Sequence, residues 1–431
     1  MKTQSLRFIL FSILFAVLLL PEMQNLFNFV ELKPLTGEFV PTQKQPFSVA
    51  TWLEGDFQKT YERFYEEQVG FRNFFIRAYN QMDYSLFNEA HGGDIIVGKK
   101  GYLFQKQYLD AHAGMDFIGE VEIEKQVNRA ATIAAQLKQK GILLIIAFAP
   151  SKADFFPEYV PASYEKKENS TTNYEVFRKK LIEKNLPFID FNGWFSDLKA
   201  NTPYPLYPKQ GIHWSQYGVY IVVDSLLKYV QATAGLDLNK LYCDSIPVSY
   251  ELKSTDYDLG DLSNVLFEMP HEKMPYPVLR IENNPTRQRP NMLAIGDSYY
   301  WNILNTEVPK KIFSRGNFWY YNHDVHADSL PRTEVVNLQT FLTEVERQQV
   351  ILILQTESNL GNLGFGFFEN VGNMLTGNIT ENPVLEMEEE IRNNPEWLEQ
   401  IRKKAIEKNV SLDLMIRSDA EWMVKERAKN Q

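Results

Sequence analysis

The chain has 431 residues, 44% hydrophobic and 23% charged, enough for one large domain with appendages or for two domains with substantial cores. A formal net charge of −10 with no basic block excludes recognition of a phosphate backbone, and so a nucleic-acid partner. A single cysteine, Cys243, excludes an internal disulfide and any cysteine-built metal site.

The chain opens with Lys2 and Arg7 ahead of an apolar run, Phe8 to Leu20. This is the charged-then-apolar layout of an export signal. The run spans about 20 Å as helix, short of the ~30 Å hydrocarbon core. Leu18–Leu19–Leu20–Pro21 offers no small-x-small cleavage site. Residues 1–21 therefore read as a signal anchor in preference to a removed signal peptide, with the body outside the cytoplasm. Residues 22–90 read as a tether followed by two helices. Pro21, Pro34, Pro41 and Pro46 interrupt the first part, and amphipathic patterns cover 56–69 and 73–87.

The stretch "DIIVGKKGYLF" (94–104) predicts a hairpin turning at Gly98–Gly101. An α/β rhythm follows. Ile123, Val127, Ala130, Ala134 and Leu137 share one helical face, and "ILLIIAF" (142–148) is a strand buried on both sides. A helix over 171–184 precedes the strand 187–191. Ser215 caps a helix with the core stripe Val219, Val222, Val223, Leu226, Leu227 and Val230. "NMLAI" (291–295) is a further buried strand, a helix is expected near 334–347, and "VILILQTESN" (350–359) is the last strand. The pattern predicts an α/β fold, a mainly parallel sheet flanked by helices over 91–381, then a charged helical extension from 382 broken at Pro395.

In such sheets functional groups collect beyond the carboxyl ends of the strands. Ser298 in "AIGDSYYWN" stands there, at the start of a helix whose first-turn amides can stabilise an oxyanion. A serine nucleophile needs a base, usually histidine. Among the six histidines His213, in "PKQGIHWSQYG", directly precedes a helix cap and adjoins Trp214. The same residues equally suit a capped turn with Trp214 as a core anchor. His323 and His326, with Asp324 and Asp328, have H-x-x-H spacing, but isolated pairs of this kind are mostly solvated and no third ligand is indicated, so no metal is assigned.

"GIHWSQYG" and "GDSYYWN" resemble the D-x-H-W and G-[DTN]-S motifs of the alginate O-acetyltransferase family, whose members carry an SGNH-hydrolase-like domain. "VGKKGYLF", "APSKADFFPEYVP" and "DLGDL" are similar too, so the resemblance spans about residues 50–370, with only the two motifs specific. It implies Ser298 as nucleophile and His213 as general base, with no cofactor. It also implies acetylation of an exported polysaccharide, acetyl groups supplied by a membrane-bound acyltransferase partner, and a single-pass inner-membrane protein facing the periplasm. Ile212, Trp214, Tyr299, Trp301 and Asn302 are expected to shape the substrate pocket.

The family's motif aspartate falls at Gly211, which cannot accept the imidazole Nδ1 proton. Asp261, Asp190 and Glu357 are candidate substitutes, and a backbone carbonyl serving a Ser–His dyad is another. Asp297, beside the nucleophile, reads as a structural acceptor of nearby amide protons before it reads as the missing acid. A carbohydrate esterase sharing the same acyl-enzyme, and a non-catalytic glycan-binding scaffold, are the alternatives. The N-x-S/T triplets at Asn169, Asn378 and Asn409 carry little weight in a bacterial host, which the resemblance implies.

Overall fold

The computed structural model describes residues 2–37, 42–327, 334–375, 383–408, 410 and 412–429; Asp328, Asn378 and Asn409 lie outside the described residues. In chain order the elements are α1 (Lys2–Phe27), α2 (Val49–Glu54), α3 (Asp56–Gln68), α4 (Arg72–Phe87), β1 (Ile95–Val97), β2 (Leu103–Gln105), α5 (Lys106–His112), α6 (Glu120–Gln139) and β3 (Leu143–Ala149). Next come α7 (Lys152–Phe155), α8 (Asn173–Glu183), β4 (Phe188–Asp190), α9 (Phe191–Leu198), α10 (Gln216–Ala234), β5 (Leu241–Ser245), β6 (Val248–Ser249), α11 (Asp258–Leu262), β7 (Met274–Pro275), β8 (Val278–Ile281) and β9 (Asn291–Gly296). The chain finishes with α12 (Tyr299–Leu304), α13 (Val308–Ile312), β10 (Arg315–Tyr320), β11 (Asp324–His326), β12 (Glu334–Val335), α14 (Phe341–Glu346), β13 (Val350–Thr356), α15 (Phe367–Leu375), α16 (Pro383–Asn393), α17 (Pro395–Glu407) and α18 (Leu412–Lys429).

These elements divide into two compact units. The first holds the residues up to Lys106 with two later segments, Lys209–Ile212 and Tyr257–His271. The β1–β2 hairpin belongs to it. The reason is local bonding: Leu103 N–H donates to the Lys209 carbonyl, and α11 packs against β2. The hairpin turn uses left-handed backbone at Lys100 (φ 57°) and Gly101 (φ 74°). α1 continues through Pro21, which sits inside the helix, to Phe27. The expected interruption at Pro21 is therefore corrected. Proline removes one backbone donor but does not stop the helix here, and the apolar window Gln4–Phe27 is long enough to cross a bilayer.

The second unit is built on a sheet that, among the described residues, runs in the order β12-β11-β10-β9-β13-β3-β4. The five strands from β10 to β4 pair in parallel, while β11 and β12 add an antiparallel edge. The interior strands are apolar on both faces because helices cover both faces. On one side Ile146, Phe148, Ile295, Ile351 and Ile353 pack with α6, α8, α14 and α15. By the two-residue period of a strand, Ile145, Ala147, Ala294 and Leu352 face the other way, toward the side where α9 and α12 lie.

Caps set the helix ends. Thr172 and Glu175 form a reciprocal capping box on α8, and the Ser215 hydroxyl accepts from the Gly218 N–H to start α10. The helix expected near 334–347 is corrected: Glu334–Val335 forms β12, and only Phe341–Glu346 is helical. Val335 pairs with Asp324, and the Val336 N–H donates to the His323 carbonyl, so the β-branched pair extends the sheet edge. α16, α17 and α18 share a small core of their own around Met387, Ile391, Ile401 and Ile416.

Candidate active site

β9 ends at Gly296, and the next two residues turn the chain into α12. A side chain at Gly296 would come within 2.8 Å of the Leu354 carbonyl oxygen, so the strand can reach its end only with glycine there. Asp297 is fully buried. Its Oδ2 accepts from the Thr356 N–H and hydroxyl, both at 2.7 Å, and from Asn359 Nδ2 at 2.9 Å, while Oδ1 accepts from the Tyr299 N–H at 3.1 Å. This carboxylate ties the serine turn to the end of β13. Every one of these partners is a turn or strand-end group, so the Asp297 carboxylate acts as an anchor of the turn.

His213 lies just ahead of α10. The segment is held by the Ser215 N–H on the Leu206 carbonyl (2.8 Å) and the Ser215 hydroxyl on the Pro205 carbonyl (2.7 Å). Trp214 is completely buried, its ring edge-on to Tyr299 at 5.2 Å. These anchors bring His213 Nε2 to 2.9 Å from Ser298 Oγ, across 85 positions of sequence. That distance is within proton-transfer reach. Among the described residues the Ser298 N–H meets no acceptor, leaving it available to a developing oxyanion.

The pocket assignments divide. Trp214 and Tyr299 are fully buried and Asn302 is 2% exposed, so all three are corrected from substrate contacts to core residues. Tyr299 backs the imidazole, ring centroids 4.9 Å apart, and Asn302 Nδ2 donates to Thr255 Oγ1. They are large groups at a helix start, and the site is built on their inward faces. Ile212 is buried too, whereas Trp301 is partly exposed, with its ring 4.5 Å from that of His326.

The acids proposed for Gly211's missing role are engaged elsewhere. Asp190 caps α9 through the Gly193 N–H and accepts from Arg178 and Tyr174. Asp261 pairs with Lys33 at 3.4 Å on the surface of the first unit. Glu357 is 3% exposed and hydrogen-bonded to Asp154. Burial and the neighbouring Asp154 charge push the Glu357 carboxyl well above its ordinary range. Burial acts the same way on Asp154, but hydrogen bonds from His112 and Glu357 outweigh it and bring Asp154 down to about 2. His112 Nδ1 and Asn192 Nδ2 meet the two Asp154 oxygens at 2.6 and 2.8 Å. Sequence reasoning missed this buried cluster, because its members come from four separate segments.

It also missed Asp258. Asp258 Oδ1 accepts from the Ile212 N–H at 2.9 Å and from the Leu259 N–H at 2.7 Å, fixing the residue that precedes His213. The "DLGDL" stretch was the available signal, read one aspartate too late. At the sheet edge, His323 Nδ1 and Asp324 Oδ1 are 2.5 Å apart, and Nε2 lies 3.5 Å from Glu421. Among the described residues no group of three or more ligating side chains could hold a metal ion.

Residues 95–291 match a family described as the SGNH hydrolase-like domain of the acetyltransferase AlgX, a span that includes His213 and ends just short of Ser298. The probable alginate O-acetylase AlgJ of Pseudomonas aeruginosa is 23% identical over 187 residues, 43% of this chain and 45% of that protein. Its Pseudomonas putida counterpart is 23% identical over 220 residues, 50% of this chain and 53% of that protein. The chain thus spans about half the length of the curated relatives it matches. Among solved structures, the O-acetyltransferase domain of Pseudomonas putida AlgJ has 17% identity and a TM-score of 0.41, covering 63% of this chain and 92% of that one. Bacillus cereus PatB1 has 13% identity and a TM-score of 0.39, covering 63% and 99%. Over residues 95–291 the chain is thus similar to an SGNH hydrolase-like domain, and its fold is α/β with an N-terminal apolar helix and a C-terminal helical extension.

Proposed function

With the SGNH hydrolase-like domain as premise, we propose that this protein is an extracytoplasmic O-acetyltransferase that modifies an exported polysaccharide through an acetyl-Ser298 intermediate. The observation that supports it is the 2.9 Å approach of His213 Nε2 to Ser298 Oγ at the carboxyl edge of the sheet. Nε2 takes the hydroxyl proton as Oγ attacks the acetyl carbonyl of the donor. The negative charge moves to the carbonyl oxygen, where the Ser298 N–H stabilises it. Collapse expels the leaving group, which takes the proton from the imidazolium and leaves acetyl-serine. A sugar hydroxyl then gives its proton to Nε2 and attacks the ester. When that second tetrahedral species collapses, the proton returns to Ser298 Oγ and the sugar keeps the acetyl group.

The curated relatives are named as probable alginate O-acetylases, which supports a polysaccharide acceptor. A membrane-bound acyltransferase fills the role of acetyl supplier, and α1 holds the domain at the inner membrane, facing the periplasm. Gly211 favours the scaffold reading, since the usual carboxylate is missing there. The hydrogen-bonded serine and histidine weigh more heavily against it. Ser298→Ala is expected to abolish polymer acetylation while leaving the fold and membrane association intact. Unchanged acetyl content in a strain carrying that substitution removes Ser298 from the mechanism. Incubating the full chain with an acetyl donor, with and without oligosaccharide, separates transfer from hydrolysis by whether acetyl groups reach the sugar.

A further inference from the structure

α4 is turned inside out. Its buried positions are Arg77, Asn80 and Asp83. Arg77 donates to the Val265 and Pro34 carbonyls, Asn80 to the Ser263 carbonyl, and His91 bonds Asp83 at 2.7 Å. The opposite stripe, Phe75, Tyr79, Met82 and Leu86, has the i, i+4, i+7, i+11 spacing of a packing face, yet each is 47–66% exposed. α2 and α3 bury no residue at all. Along them Trp52, Phe57, Tyr61 and Tyr65 form a continuous ladder of rings with centroids 4.6–6.1 Å apart. Scattered apolar residues on a surface need no explanation, but three successive helices with outward aromatic and apolar faces do.

The corner between α3 and α4 sits on the end of α1. A Cβ at Gly70 would fall 1.9 Å from the Pro21 carbonyl oxygen, and Phe71 meets Phe29 edge-on at 5.9 Å. Gln24, 4% exposed, bonds both backbone groups of Val30 and so fixes the exit of the helix. The outward aromatic faces therefore begin where the one candidate membrane span among the described residues ends. Tyrosine and tryptophan favour this level of a bilayer, where the ring is apolar and the polar tip stays wet. Amphipathic helices lie in the same plane.

Resting on the reading of α1 as a membrane anchor, we propose that the outward faces of α2, α3 and α4 lie on the phospholipid surface at the exit of α1. α3 carries Asp56, Glu62, Glu66 and Glu67 against Lys59 and Arg63. The contact is thus made by aromatic burial at the headgroup layer, without attraction to anionic lipid.

The test uses the full chain with Cys243→Ser, reconstituted into phosphatidylcholine vesicles, and one environment-sensitive fluorophore on a single introduced cysteine. Phe75→Cys and Met82→Cys report on the proposed face, Val17→Cys on the anchor, and Glu183→Cys on a solvated helix. The expected result is blue-shifted emission at 75 and 82, most of it lost when the lipid is brominated near the headgroup. Position 183 stays water-like, and added anionic lipid leaves the quenching unchanged. Water-like emission at 75 and 82 with a quenched label at 17 overturns this proposal and leaves the anchor standing. A blue shift without bromine quenching overturns it in favour of a protein partner or a second copy. A label at 17 that escapes deep-brominated lipid overturns the anchor and this proposal together.

Discussion

Four donors converge on the Asp297 carboxylate, two from Thr356 and one each from Asn359 and Tyr299. Removing it by Asp297→Ala leaves buried N–H and O–H groups without acceptors, and is expected to cost at least ~3 kcal/mol, read by chemical denaturation. Asp258 acts one residue from the imidazole in the chain, through the Ile212 N–H. Asp258→Ala is expected to lower acetyl transfer by about tenfold or more, equivalent to ~1.4 kcal/mol of barrier, with Ser298 still in place. Gly211→Asp in that background, restoring a carboxylate at the family's motif position, is expected to recover part of the loss. Equal rates for wild type and Asp258→Ala would dismiss the role. The Asp154–Glu357 pair has a distinct pH signature. The folded state holds the Glu357 proton more tightly than the unfolded chain does, so its contribution falls as pH rises from the ordinary carboxyl range upward. Asp154 works in the opposite sense, its contribution being lost as pH falls toward about 2. Glu357→Gln can still donate to Asp154 and is expected to be more stable than wild type at neutral and alkaline pH. Denaturant midpoints across pH measure the difference.

At the scale of elements, the ends of helices and strands carry more of the site than their middles do. α8 starts on the Thr172–Glu175 box, and Thr172→Ala is expected to cost about 1 kcal/mol without touching catalysis. α18 reaches the sheet edge through His323. Burial alone would lower this imidazole, but hydrogen bonds to Asp324 and Glu421 lift it to about 9. A raised histidine contributes fully below its unfolded value of 6.5, and the contribution is lost as pH rises through about 9. Amide exchange in 412–429 is therefore expected to quicken across that window, and Glu421→Gln to flatten the dependence. An unchanged profile in Glu421→Gln would show that the apolar core of α16–α18 holds the extension by itself.

For the whole molecule, the membrane-anchor reading rests on α1. Residues 4–20 of α1 are exposed, and the stretch Gln4–Phe27 has a mean hydropathy of 2.1. The full chain is expected to stay with membranes through an alkaline wash and to be released only by detergent. Release by the wash alone would contradict the anchor. With a net charge of −10, the body has no electrostatic reason of its own to approach an acidic polymer, so any such acceptor has to be drawn in by local contacts.

Local order was legible in the residues themselves. Runs such as 144–149 and 292–295 read as buried strands, since every side chain in them is apolar, and the Ser215 cap and its apolar stripe define α10. The serine and histidine motifs could likewise be recognised from their immediate neighbours. Distance in the chain hid the rest. Whether His213 reaches Ser298 depends on how β9 and α10 are placed, and no spacing rule carries that over 85 positions. The partners of Asp297 come from β13, and the acceptor for Ile212 comes from 258. Position beside the motifs suggests pocket walls, whereas Trp214 and Tyr299 are buried supports. Periodicity and caps report on neighbours within a few residues, whereas burial and hydrogen-bond pairing between distant segments exist only once the sheet has closed.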